Sequence, residues 1–220
     1  MKIVFPMLIT PIMLSEEYVS TIVFENQKVL FQFVTELHQQ LNKQDGNIVL
    51  SEMEERVDIS KKVELISQFV PFDCNKKSLI TKLQQKLRDA SNESLYVETS
   101  ELLSSVQKYL YRLTDLFNIN ILVDDIDAGI LIKAVNARFS SEYETLSEAL
   151  YDYCVNVINL EGNKLFVFLN LRCLISDEEF NLFARTLTDH KVLTLFLENT
   201  DRRTMKIEEK TIIDNDLCVI

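Results

Sequence analysis

Apolar and polar positions change rhythm three times along this chain. The first fifty residues read as β followed by α. Residues 3–9, 12–14 and 19–24 are apolar runs rich in β-branched side chains, the signature of strands. From 27 to 41 the period becomes helical, with Val29, Leu30, Phe33, Val34, Leu37 and Leu41 on one face. Asp45-Gly46-Asn47 signals a turn, and 48–50 a short strand.

The middle third is helical throughout. Residues 61–70 read as a helix that stops at Pro71, because the residue before proline is disfavoured in the α region. Residues 76–90 form a second, with Leu79, Ile80, Leu83, Leu87 and Ala90 as its stripe. Residues 101–117 give the strongest pattern: Leu102, Val106, Tyr109, Leu113 and Leu116 alternate by four and three, which predicts a helix-packing seam. A short helical stretch after Asp127 carries Lys133.

The β/α rhythm then returns. Residues 137–139, which hold Arg138, read as a short strand. Ser141-x-x-Glu144 reads as a capping box opening a helix that runs to 160, with Gly162 ending that unit. Residues 165–169 and 192–197 are unbroken apolar runs, as expected of strands buried on both faces. Ser176-x-x-Glu179 caps the helix between them, and 206–220 supplies edge strands. Short links between buried strands through helices imply right-handed crossovers and a parallel sheet. The expected architecture is α/β: a sheet head split between 1–58 and 135–220, with an all-α subdomain at 59–134.

Glycine usage changes what such a head could do. The 220 residues contain three glycines, Gly46, Gly129 and Gly162. Phosphate-cradling loops need glycine for positive φ and close backbone approach, and neither common phosphate-loop pattern occurs. Asn170 stands at the end of the first late strand, where a phosphoryl-transfer enzyme would want an aspartate for magnesium. Glu198-Asn199 ends the second, and the carboxyl ends of strands are where open α/β sheets bind ligands. Nucleotide hydrolysis is not expected.

The net charge of −11 is the wrong sign, on average, for a nucleic-acid binder. The distribution is uneven. Residues 60–90 hold seven basic side chains against three acidic ones, and Arg202, Arg203, Lys206 and Lys210 form a second group. Local basic surface survives on an acidic protein because screening makes surface charge short-ranged. Cys74, Cys154, Cys173 and Cys218 match no zinc spacing and read as free thiols. His38 and His190 read as helix residues, the second near a helix end. No apolar run reaches the ~18 residues of a membrane span, and Pro6 and Pro11 interrupt the apolar start. The expectation is a cytoplasmic protein without a membrane association.

Two clusters carry candidate chemistry. Asp124, Asp125 and Asp127 are the densest acidic group. Oxygen-rich clusters suit calcium, although the spacing misses the twelve-residue calcium loop; a helix N-terminus also favours such acids. Lys133 and Arg138 lie where the helical segment returns to the sheet domain. In a symmetric oligomer, copies of such a junction repeat around the axis and would line a positive channel. Ordinary surface cations would look the same.

With these residues in view, the chain resembles the ring-forming accessory protein of type II-A CRISPR systems, which acts in spacer acquisition. The resemblance is one of pattern over nearly the whole length, with little identity. It rests on Ile130-Leu131-Ile132-Lys133-Ala134-Val135-Asn136-Ala137-Arg138-Phe139 and on Lys164-Leu165-Phe166-Val167-Phe168-Leu169-Asn170. It continues through Leu174-Ile175-Ser176-Asp177-Glu178-Glu179 and Val192-Leu193-Thr194-Leu195-Phe196-Leu197-Glu198. In that family basic residues stand at the positions of Lys133 and Arg138. The aspartates matching Asp124 and Asp125 fall in a calcium-associated stretch there; Ile130 stands where a carboxylate is common.

The resemblance implies a P-loop-NTPase-like head without nucleotide activity, an α-helical leg, and a homotetrameric ring taking linear double-stranded DNA through a basic bore. Partners would be the CRISPR integrase complex and the effector nuclease. The leading expectation is a non-enzymatic, sequence-independent binder of DNA ends, with Lys133 and Arg138 on the phosphates and Lys28, at a helix start, assisting. Asp124, Asp125 and Asp127 would hold Ca2+. The alternatives are a metal-dependent nuclease or phosphohydrolase built on the same aspartates, and a protein–protein scaffold with no nucleic-acid role.

Overall fold

The structure, a computed structural model, describes residues 1–7 and 11–220. Leu8 and Ile9, the end of the first apolar run, lie outside the described residues. In chain order the elements are β1 (Lys2–Val4), β2 (Ile12–Met13), β3 (Val19–Phe24), α1 (Gln27–Leu41), β4 (Val49–Glu52), β5 (Glu55–Arg56), α2 (Ile59–Lys62) and β6 (Val63–Ile66). Helices α3 (Lys77–Glu93), α4 (Tyr96–Thr114) and α5 (Ala128–Ala134) follow. The chain ends with α6 (Leu146–Glu161), β7 (Leu165–Leu169), α7 (Asp177–Asp189), β8 (Thr194–Glu198) and β9 (Glu208–Ile213). Two compact units result: Met1–Phe72 with Tyr143–Ile220, and Asp73–Glu142.

The first unit is built on a five-stranded sheet in the order β6-β7-β8-β3-β9, every pair parallel. Strand β3, first of these in the chain, lies inside the sheet. The strands β6, β7 and β8 fill one side of it and β9 the other, so the chain crosses from β3 to the edge strand β6, returns through β7 and β8, and passes β3 to reach β9. A smaller antiparallel sheet, β2-β1-β4-β5, belongs to the same unit.

Apolar runs buried on both faces explain the sheet. All six residues of β3 are buried, as are Leu165, Phe166, Val167 and Phe168 of β7. Helix α1 lays Val29, Leu30, Phe33 and Leu37 inward; the Phe33 ring meets Phe5 edge-on at 5.0 Å. Helix α7 contributes Phe180 and Phe183, whose rings meet Phe196 of β8 edge-on, while Phe168 stacks on Phe196 at 5.0 Å. Burying each such ring contributes about 1.5–3 kcal/mol. Gly162 closes α6 with φ of 84°, a conformation that penalises any side chain.

Three expectations need correction. The segment 61–70 is not a helix: after the single turn of α2 it becomes β6, which pairs in parallel with β7 from Val63↔Leu165 to Ile66↔Phe168. Val63 and Ile66 are buried there, so the sheet's hydrogen bonds and apolar contacts override the helical pattern of 61–70 at these four residues. Residues 137–139 form no strand and pair with none of the described strands. Helix α6 starts at Leu146, four residues later than the Ser141 box would place it. Its cap is Thr145, whose hydroxyl accepts from the Glu148 N–H at 3.2 Å.

The second unit is α-helical. Most of the stripe predicted for 101–117 lies on α4, which ends at Thr114 and buries none of its residues: Leu102, Tyr109 and Leu113 are 54%, 62% and 39% exposed.

Candidate nucleic-acid interface

Helix α5 and the segment after it carry the two cations. Asp127 caps α5, its Oδ1 accepting from the Ile130 N–H at 2.9 Å. Lys133 is exposed in the last turn, where a cation suits the helix dipole. Asn136 then takes a positive φ of 51° and turns the chain, a conformation that asparagine tolerates better than most residues. Arg138 follows on the irregular segment after it. Its backbone is held by a side chain in place of a strand: Asn75 Oδ1 accepts from the Phe139 N–H at 2.9 Å, and Asn75 Nδ2 donates to the Phe139 carbonyl at 3.2 Å. Lys133 and Arg138 are both exposed, and neither makes an ion pair with another described residue.

The other basic residues of 60–90 are more engaged. Lys61 pairs with Asp58, Lys62 with Glu52, and Arg88 donates to Asp127 at 2.7 Å. Lys28 lies in the first unit, exposed at the second position of α1; its N–H is capped by Asn26 Oδ1 at 3.1 Å.

The aspartates do not assemble into a metal site. Asp127 spends one oxygen on its helix cap and the other on Arg88. Asp124 and Asp125 are exposed, and among the described residues no three His, Cys, Asp or Glu side chains converge to hold a metal. Calcium wants six to eight oxygen ligands, so the residues present do not fit it.

In the first unit the carboxyl ends of the parallel strands hold what a nucleotide site would need to displace. Strand β3 passes to α1 through Glu25 and Asn26 alone, with no glycine, and the Asn26 side chain occupies the Lys28 N–H in the first turn of the helix. Asn170, at the end of β7, sits at φ 54° and uses its Oδ1 to accept from the Asn199 N–H at 3.0 Å, clipping β7 to β8.

Beside that clip lies a buried charge network that the sequence reading missed. Arg172 donates from Nη1 to Glu208 Oε1 at 3.2 Å, and from Nη2 to Asp177 Oδ1 at 2.8 Å and to the Arg203 carbonyl at 3.0 Å. Its guanidinium also covers the Phe180 ring, 4.3 Å from the centroid. Glu198 accepts from the Arg172 N–H at 3.2 Å. Burial pushes its carboxyl up to about 7, against the opposing pull of Arg172 and with a further push from Glu208. The one sequence signal was Arg172 standing three residues beyond an unbroken apolar strand.

The family model of the CRISPR-associated protein (Cas_Csn2) matches residues 40–217. Among solved structures, Stu0660 of Streptococcus thermophilus superposes with a TM-score of 0.64 at 18% identity, covering 100% of this chain and 76% of that one; this likeness speaks for the fold. A putative ABC transporter (ATP-binding protein) from Pyrococcus furiosus matches with a TM-score of 0.38 at 12% identity, over 91% of this chain and 88% of that one, too distant to carry an argument. No curated protein matches the sequence.

Proposed function

Because the chain belongs to the family of the CRISPR-associated protein Cas_Csn2, we propose that it binds the ends of linear double-stranded DNA without sequence preference and without catalysis. It does so as a homotetrameric ring that supports the acquisition of new spacers in the cytoplasm, alongside the CRISPR integrase complex and the effector nuclease. The sheet unit is the degenerate P-loop-like head, and Asp73–Glu142 is its helical leg.

The observation that carries this reading is the pair Lys133 and Arg138. Both are exposed and unpaired on a segment held by Asp127 and Asn75, in a chain of net charge −11. Phosphate contacts of this kind give affinity without sequence information. Two cations from each of four copies would neutralise up to about eight phosphates, so log K would fall with log salt at a slope near about −7. Two further features agree. The β3–α1 link has no glycine loop for a nucleotide, and the aspartates lack the convergence a metal-dependent nuclease needs. The exposed apolar stripe of α4 offers surface for a partner copy.

The test is a Lys133→Glu/Arg138→Glu variant titrated against a short linear duplex. The expected result is loss of binding with an unchanged oligomeric mass. Unchanged affinity would refute the site.

A further inference from the structure

The second basic group, at the carboxyl end of the parallel sheet, is built differently from the first. The connection between β8 and β9, residues 199–207, is pinned at four points. The Asn199 N–H donates to Asn170 Oδ1 at 3.0 Å, Arg172 Nη2 to the Arg203 carbonyl at 3.0 Å, the Met205 N–H to Glu208 Oε2 at 2.9 Å, and Lys210 Nζ to the Arg202 carbonyl at 2.9 Å. Two of the anchoring side chains, Arg172 and Glu208, are themselves buried. The loop backbone is therefore anchored where Arg203 and Lys206 leave it.

Between this loop and α7 lies a cleft of about 310 Å³. Arg203 and Lys206 enter its wall from the loop and Arg185 from the helix; all three are exposed, and none pairs with a described residue. Two carboxylates also line it. Asp177 is taken by Arg172 at 2.8 Å, which leaves Glu178 as the one uncommitted acid against three cations. An excess of unpaired cations in a concave site favours a polyanion, and the anchored loop backbone lowers the ordering cost of binding one. The lining contains no aromatic ring, and Met205 is its one apolar side chain. A nucleotide would leave its base without a stacking face there; a sugar–phosphate backbone needs none.

We propose that this cleft is a second phosphate-binding site, gripping the backbone of duplex DNA through Arg185, Arg203 and Lys206 on the sheet unit. It rests on the reading that the protein binds DNA, and adds a binding surface apart from Lys133 and Arg138. Glu178 limits its strength. Arg172 is a positioning residue, since it holds the Arg203 carbonyl from beneath.

The experiment measures affinity for a linear duplex at several salt concentrations, using wild type, Arg185→Glu/Arg203→Glu/Lys206→Glu, Glu178→Gln, and Lys133→Glu/Arg138→Glu. The triple variant is expected to bind at least about tenfold more weakly, with a salt slope shallower by about 0.9 for each phosphate no longer neutralised. Glu178→Gln is expected to bind more tightly, which a purely structural loop would not produce, and it keeps the test valid if the triple variant fails to fold. Wild-type affinity and slope in the triple variant, or no gain in Glu178→Gln, would overturn the site. Should wild type not bind duplex at all, the functional reading fails separately and the cleft is judged by sodium tripolyphosphate. Shifts of the 199–207 amide resonances that vanish in the triple variant then support a phosphate site fed by another source, and no shifts overturn it.

Discussion

Arg172 and Glu208 form an ion pair at 3.2 Å in which the two side chains are 2% and 0% exposed. They stand 36 residues apart in the chain, and they join the turn after β7 to the start of β9. Such a pair is not a large net source of stability, since desolvation offsets much of the attraction, but removing one partner strands a buried charge.

Arg172→Met is therefore expected to destabilise the protein by about 3–5 kcal/mol, read from the midpoint of denaturant unfolding. The Arg172→Met/Glu208→Gln double variant should lose less than the sum of the two single variants, because the charge left behind has gone. Additive losses would mean that the two side chains act independently.

Glu198 gives the fold a pH dependence of defined sign. Its carboxyl ordinarily titrates at 4.5 and is raised to about 7 in the folded chain. Between those values the folded state holds a proton that the unfolded state has released, so stability falls as pH rises from about 5 to about 7. For this one group the slope approaches about 1.4 kcal/mol per pH unit within the window and vanishes outside it. Glu198→Gln should flatten the curve and be the more stable protein above pH 7. An unchanged slope in thermal melts across this range would contradict the assignment.

Helix α6 is capped by Thr145, where Thr145-x-x-Glu148 repeats the pattern of Ser141-x-x-Glu144 four residues further on. Thr145→Ala should cost about 1 kcal/mol, while Ser141→Ala should be nearly silent. In the helical unit Asp127→Ala should cost about 1–2 kcal/mol, as it loses both a cap and the Arg88 pair, and Asp127→Asn should recover the cap share. Chemical unfolding of the four variants checks both orders.

What the sequence disclosed follows the range of the forces involved. Helix α1 and strand β7 appear at the predicted bounds, because a long amphipathic period and an unbroken apolar run are local signals. The Ser176 cap of α7 was legible for the same reason. Strand β6 was not: four residues cannot display a period, and only the presence of β7 beside them decides their state. The Ser141 and Thr145 patterns are alike in sequence, so spacing alone does not say which of them caps α6. Of the candidate site, Lys133 stands on the helix its pattern predicts, and Arg138 on a strand that does not form. The Arg172 network stayed hidden because Arg172, Asp177, Glu198 and Glu208 meet only through the sheet order. The acidic stretch looked like a ligand set because spacing alone does not show that Arg88 and a helix N-terminus already occupy Asp127.

The central claim is a ring that DNA enters by its end. It is tested most directly by binding one plasmid in two forms, closed-circular and linearised by a single cut, in a mobility-shift titration at fixed salt. The account predicts that the linear form is retained and the closed circle is not, since a closed duplex has no end to thread. Equal retention of both forms, or of neither, would contradict it.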